Sequence, residues 1–147
     1  MTVIRPYETA DAPACADILT LAGQVAFGVS AWSIHDVAAF LSVTQDEDIL
    51  VAERDGVVIG FAAVYAREAT DNFLHHLYIH PAASGQGAGT LLLAAVVAQF
   101  GPTLSLKVQV SNVRARRFYA RAGWVEDDQV RGVDAVGAWI AIRTGEQ

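Results

Sequence analysis

The 147-residue sequence is poor in cysteine, in basic charge and in long apolar runs, and each scarcity excludes something. The single cysteine, Cys15, rules out an intramolecular disulfide, and its plain expectation is a small buried apolar residue. Ten basic residues against sixteen acidic ones leave a formal net charge of −6. A general nucleic-acid binder needs a basic footprint, so nucleic acid is not an expected partner. No apolar run nears the ~18 residues of a membrane helix, and "MTVIRPYETADAP" has no basic-then-apolar leader pattern. The expectation is a cytoplasmic protein without a membrane partner. Hydrophobic residues make up 53% of the chain. No linker, repeat or low-complexity tract divides it, so residues 1–147 read as one domain.

What is present reads as a mixed α/β chain. "TVIRPY" is an opening strand, followed by a helix capped by Thr9 or Asp11 and running to about Ala22. "GQVAFGVSAW" breaks the pattern with two glycines and reads as a loop, after which Ser33 caps a short helix bearing Val37, Phe40 and Leu41. Two β-branched runs flank Asp55-Gly56, a pair suited to a tight hairpin turn. "DNFLHHLYIHP" is a strand ended by Pro81, and an almost wholly apolar helix follows from about Gly87 to Phe100. "TLSLKVQV" is a strand, and Ser111 or Asn112 opens a helix that Gly123 ends. "WVEDDQV" and "AVGAWIAIR" read as closing strands joined near Arg131-Gly132.

Between the fourth of these strands and the apolar helix lies "SGQGAG". A strand, a glycine loop and a helix N-terminus favour an anion, because the first helical N–H groups lack partners and glycines let a phosphate approach. The plainer reading is a strand-to-helix turn. The loop lacks the lysine of a Walker motif, and Thr103 to Val110 holds none of the acid that a dinucleotide fingerprint requires.

The neighbouring residues add weight. "LHHLYIHPAASGQGAGTLLLAAV" resembles the acetyl-CoA-binding motif of the GNAT superfamily of N-acetyltransferases, through Leu77, Ile79, Pro81, Ser84, Gly87 and Gly89. "NVRARRFYARAGW" is similar to the family's second motif, through Asn112, Ala115, Phe118, Tyr119 and Gly123, with Trp124 where phenylalanine is usual. The likeness covers nearly the whole chain. It implies a GNAT-like α/β (α+β) fold: a central mixed, mostly antiparallel sheet of six to seven strands flanked by about four helices. It also implies acetyl-CoA as co-substrate, no metal, and an amine acceptor as the other partner. Family members are often dimers, which makes a homodimer an expectation.

The resemblance places the CoA pyrophosphate on the backbone N–H groups of Ser84, Gly85, Gln86, Gly87, Ala88, Gly89 and Thr90. Ser84 stands where the family most often has glutamine or arginine, and Gln86 stands where a basic residue is common. Arg114, Arg116, Arg117 and Arg121 could offset that missing charge, or simply form a solvated helix face. Phe118 is grouped with the cofactor contacts, as is Asn112, whose plainer role is a helix cap. The pantetheine arm is implied to lie between splayed strands near Leu77, Tyr78 and Ile79, whose backbone polarises the thioester carbonyl. Asn112, Ala115 and Tyr119 share a helix face. The family assigns the matching tyrosine as general acid to the departing thiolate, a proton transfer near balance for a phenol of ordinary pKa.

For the base, strict strand alternation puts Phe73, His75, Leu77 and Ile79 on one face and Leu74, His76 and Tyr78 on the other. The family's base positions correspond to Phe73 and His75, which favours His75, an imidazole being suited to neutral pH. His76 is the alternative, and some relatives use a water chain. Alternation also separates the histidines, and no acid cluster joins them, so a metal is not expected. For the acceptor, Phe27, Trp32, Trp124 and Trp139 could line an aromatic pocket or pack in the core. Glu68, Asp71 and Glu126-Asp127-Asp128 could attract a cationic amine or face solvent. The expected reaction is acetyl transfer to a primary amine of a small molecule by direct attack. Alternatives are a protein lysine or N-terminal acetyltransferase and a non-catalytic acyl-CoA-binding domain.

Overall fold

The computed structural model describes residues 1–30, 32–66 and 72–145. Strand β1 (Thr2–Pro6) leads through a 3-10 turn (Thr9–Asp11) into helix α1 (Ala12–Phe27), and helix α2 (Val37–Val43) follows. Next come β2 (Asp48–Arg54), β3 (Val57–Tyr65) and β4 (Asn72–Ile79), a 3-10 turn (Pro81–Ala83) and helix α3 (Ala88–Phe100). Strand β5 (Leu104–Gln109), helix α4 (Val113–Arg121), β6 (Val125–Val133) and β7 (Ala138–Arg143) complete it. The seven strands form one sheet in the order β1-β2-β3-β4-β5-β7-β6. Every pairing is antiparallel except β4 with β5. The fold is the α/β arrangement that the GNAT resemblance implied.

Apolar alternation along the strands supplies a core on each face of the sheet. On one face Phe40 of α2 and Ile18 and Leu19 of α1 bury against Val51, Phe61 and Ala63. On the other, Leu92, Leu93 and Val96 of α3 join Leu50, Val64, Leu74, Leu104 and Ile142. Each fully buried leucine or isoleucine contributes about 1.5–3 kcal/mol, which makes α3 the main brace of the second face. Cys15 is fully buried in the first face and its thiol is pushed up to about 12 by burial, as expected of a packing residue. Arg5 forms a two-bond ion pair with Asp11, at 2.9 Å for both contacts, and so ties β1 to the start of α1. Among the described residues no helix is long and apolar enough to cross a membrane.

Three local readings need correction. Helix α1 does not stop near Ala22 but continues to Phe27. Gly23 sits inside the helix because the Trp32 indole occupies the space its Cβ would take, 2.0 Å from that ideal position. The cap of α2 is Asp36, not Ser33: its Oδ1 accepts from Ala39 N–H at 2.8 Å. The last hairpin turns at Asp134–Gly137, not at Arg131-Gly132, with the Asp134 carboxylate accepting from Val136 and Gly137 N–H. Gly132 stays in β6 beneath the Trp139 ring. The Asp55-Gly56 hairpin, with both φ values positive, and the Gly123 helix end are as expected.

Candidate acetyl-transfer site

The glycine loop joins β4 to α3. Gly85 and Gly87 have φ of +79° and +88°, a region that a side chain rarely adopts, so these two glycines are conformational requirements. Gly89 lies in the first turn of α3, where the Phe118 ring passes 3.4 Å from the ideal Cβ position. The Leu91 N–H makes the first helical bond, to Gly87 O, leaving the amides of Ala88, Gly89 and exposed Thr90 at the open end of the helix. Two guanidinium groups reach the loop: Arg114 donates to Ser84 Oγ, and Arg54 donates to Gln86 Oε1. The two positions that depart from the family pattern thus hold arginines by hydrogen bond instead of supplying charge themselves. Arg117 and Arg121 are exposed on α4. Arg116 is turned away, bonded to Glu126 at 2.7 and 2.8 Å and to Val110 O, and cannot offset charge at the loop. His80 is a loop residue, its Nδ1 accepting from Ala82 N–H.

Beside the loop the sheet divides. β4 and β5 pair at only two registers, Asn72 with Leu104 and Phe73 with Ser105. Beyond them Leu77, Tyr78 and Ile79 remain paired to β3 on one side and face a widening gap on the other. Helix α4 stands over this second sheet face. Asn112 caps it, Oδ1 accepting from Ala115 N–H at 3.2 Å. Phe118 and Ala115 pack on the core, and Tyr119 is buried, 5.5 Å centroid to centroid from Trp124. Burial pushes the Tyr119 phenol above its ordinary pKa, with a smaller contribution from the Tyr78 phenol. It therefore holds its proton more firmly than the near-balanced transfer inferred from sequence.

On the first sheet face the alternation expected of β4 fails. His76 pairs with Ala63 and Leu74 with Val64, so His75 is an extra, bulged residue. Leu74, Leu77 and Ile79 consequently share the α3 side, while His76 and Tyr78 turn toward α1 and α2. The bulge also brings His75 and His76 together, with ring centroids 3.9 Å apart. His75 Nδ1 lies 2.5 Å from Glu47 Oε2. Glu47 is nearly buried, its side chain 5% exposed, and burial raises its carboxyl pKa while the His75 contact opposes the shift. His76 is lowered to about 3 by burial and by its neighbour His75, so its ring is neutral. The bulge thus brings together two histidines that strict alternation would separate, and Glu47 is the acid that joins them.

Trp32 stands beside Phe27, His35 and Tyr78 at 5.0, 5.2 and 6.4 Å, and its Nε1 donates to Leu19 O. Phe27, Trp32, Tyr78 and His76 thus form one aromatic wall. Trp124 and Trp139 do not belong to it: Trp124 is buried behind Tyr119, and Trp139 lies on β7 under Lys107. Glu126 is engaged by Arg116, and Asp127 lies 3.8 Å from Arg143, so this run is a paired hairpin face. Glu68 and Asp71 lie outside the described residues. Sequence reasoning missed Glu47 and Arg54. Glu47 sits in the acidic run "QDEDIL", which reads as solvated, and only the fold brings it to His75.

A glycine loop at a helix N-terminus thus lies beside a sheet whose one parallel pair is joined at only two registers, and helix N-terminal amides favour an anion. Residues 15–124 match the model of the acetyltransferase (GNAT) family. An uncharacterized N-acetyltransferase of Bacillus subtilis (strain 168), YhfO, is 30% identical over 136 residues, covering 84% of this chain and 90% of that protein. The ribosomal-protein-S18-alanine N-acetyltransferase of Escherichia coli superposes with a TM-score of 0.78 at 20% identity, covering 100% of this chain and 96% of that one. The PaiA N-acetyltransferase of Thermoplasma acidophilum, solved with coenzyme A, gives 0.78 at 16%, with 99% of both chains covered. At those identities the two structures speak to the fold alone. The chain belongs to the GNAT acetyltransferase family. As a member of that family it is an N-acetyltransferase, with acetyl-CoA as its co-substrate.

Proposed function

We propose that the acetyl group goes to the primary amine of a small molecule, with Glu47 and His75 taking the ammonium proton and Tyr119 supplying one to the sulfur. The observation that carries this reading is the Glu47–His75 contact of 2.5 Å, made by a nearly buried acid behind an accessible imidazole. Bound acetyl-CoA supplies the acetyl group as a reactive thioester. Gly85 and Gly87 hold the loop amides toward its phosphates, and Arg54 and Arg114 add positive charge there. Asn112 keeps α4 in place through its cap, and Leu77, Tyr78 and Ile79 offer backbone groups along the split. His75, with Glu47 behind it to stabilise the imidazolium, accepts the proton that a protonated amine must lose before attack. Tyr119 is kept protonated by burial and can donate from its phenol oxygen. An acid at the base of an aromatic wall suits a compact cationic acceptor, because Phe27, Trp32 and Tyr78 supply apolar faces around one charge.

A protein N-terminus is the second reading, since one structural neighbour is named for acetylating a ribosomal-protein alanine. A panel of small amines and peptides, read by release of free thiol, separates the two. Turnover with compact amines and none with peptides is expected. The reverse pattern overturns the small-molecule assignment.

A further inference from the structure

We propose that Glu47, His75 and His76 form a three-ligand Zn²⁺ site, and that filling it switches acetyl transfer off. The binding half stands alone; the switching half rests on the assignment of His75 and Glu47 as proton acceptors.

One donor atom from each of the three residues falls within 4.8 Å of the others. The set is two imidazoles and one carboxylate, which suits zinc, and three protein ligands leave a fourth position open. A tetrahedral ion with bonds of about 2.0–2.2 Å needs its donors roughly 3.3–3.5 Å apart. The short Glu47–His75 contact must open and the longest separation must close. The His75 side chain is 42% exposed, so it has room to move off the short contact and gives solvent a path to the ion.

The polar bookkeeping is the second observation. Neither His76 ring nitrogen makes a hydrogen bond, nor does Glu47 Oε1, and all three atoms are buried. Such atoms ordinarily have partners, and leaving them bare is unfavourable. One donor of each of the three residues lies near the other two, at a bulge that brings the rings of two consecutive histidines to 3.9 Å. One cation satisfies the Glu47 carboxylate and a lone pair of each ring together. A zinc ion on His75 and Glu47 occupies the lone pairs that the proton needs, so metal and ammonium proton compete.

The test uses the full-length protein stripped with a chelator. Zn²⁺ alone is titrated by calorimetry, and Co²⁺ is titrated with visible absorption as the coordination signature. One ion per chain is expected, with affinity falling by roughly a hundredfold or more in His75→Ala and His76→Gln, and unchanged in His35→Ala and His80→Ala. Acetyl-CoA binding by each variant confirms that it is folded. No binding at millimolar metal overturns the proposal, as does equal binding by the His75→Ala/His76→Gln double variant. In a second arm, Zn²⁺ should inhibit turnover and chelator should restore it. Bound zinc with undiminished turnover overturns the switch. Failure of the small-amine assignment shows up separately, in the acceptor panel run on metal-free enzyme.

Discussion

Replacing Gly23 by alanine places a methyl group inside the Trp32 indole: the ideal Cβ falls 2.0 Å from Nε1 and 2.1 Å from Cε2. Backbone and ring cannot share that space, so the ring leaves. Its 3.0 Å hydrogen bond to Leu19 O goes with it, a loss of about 0.5–1.5 kcal/mol. Its contacts with Phe27 and Tyr78 go too, about 0.5–1.5 kcal/mol for each aromatic pair. Against this stands the better helix propensity of alanine, about 0.8–1.0 kcal/mol. The net is a destabilisation of roughly 2 kcal/mol, or about 4–8 °C in Tm for a chain of this size. In a Trp32→Ala background the clash is absent and only the propensity gain remains. There Gly23→Ala should stabilise by about 0.8–1.0 kcal/mol. Thermal unfolding of the four proteins, followed by circular dichroism, measures the cycle. The acceptor KM should rise in Gly23→Ala while acetyl-CoA affinity holds, if Trp32 lines the amine side as proposed. A substitution equally destabilising in both backgrounds would refute the reasoning.

Tyr119→Phe should lower kcat by about 10²–10⁴-fold with acetyl-CoA affinity preserved, read by thiol release and calorimetry; unchanged kcat would remove the phenol from the chemistry. Arg54→Ala and Arg114→Ala should each weaken acetyl-CoA binding by up to about fivefold, since the exposed contacts are worth about 0.2–1 kcal/mol. That loss should shrink at high salt, and salt-independent affinity would count against it. Asp11 is held below the usual carboxylate range, first by the Arg5 hydrogen bonds. A group whose folded pKa is depressed contributes stability that is complete above its ordinary value of 3.8 and is lost as pH falls through the folded value. Asp11→Asn should therefore lower Tm near neutrality and flatten its fall in acid; parallel acid limbs for both proteins would contradict this.

The glycine loop and the second motif were legible because their physics is local. Left-handed φ at Gly85 and Gly87, the Asn112 cap and the Gly123 helix end depend on a few consecutive residues, and such residues announce themselves. The Asp55-Gly56 hairpin was legible for the same reason. Gly23 and Gly132 misled because a glycine beneath a tryptophan looks like a glycine in a turn until the tryptophan is placed. Period-two reasoning on "FLHHLYIHP" failed at a single point, where β3 leaves His75 without a cross-strand partner. A bulge depends on pairing with a distant strand and leaves no mark in the strand's own composition.

Sequence alone determined the glycine turn and, through the resemblance of its two motifs to the GNAT family, pointed to acetyl-CoA, because both motifs are short runs of neighbouring residues. Only the tertiary structure decided which distant side chains meet. Glu47 meets His75 from 28 residues away, Arg54 meets Gln86 at the loop from 32, and Trp32 meets Tyr78 on the α1 side of the sheet. Those contacts exist because two apolar faces of one sheet collapse against α1, α2 and α3. The side chains that ride on that collapse acquire partners that no spacing along the chain encodes.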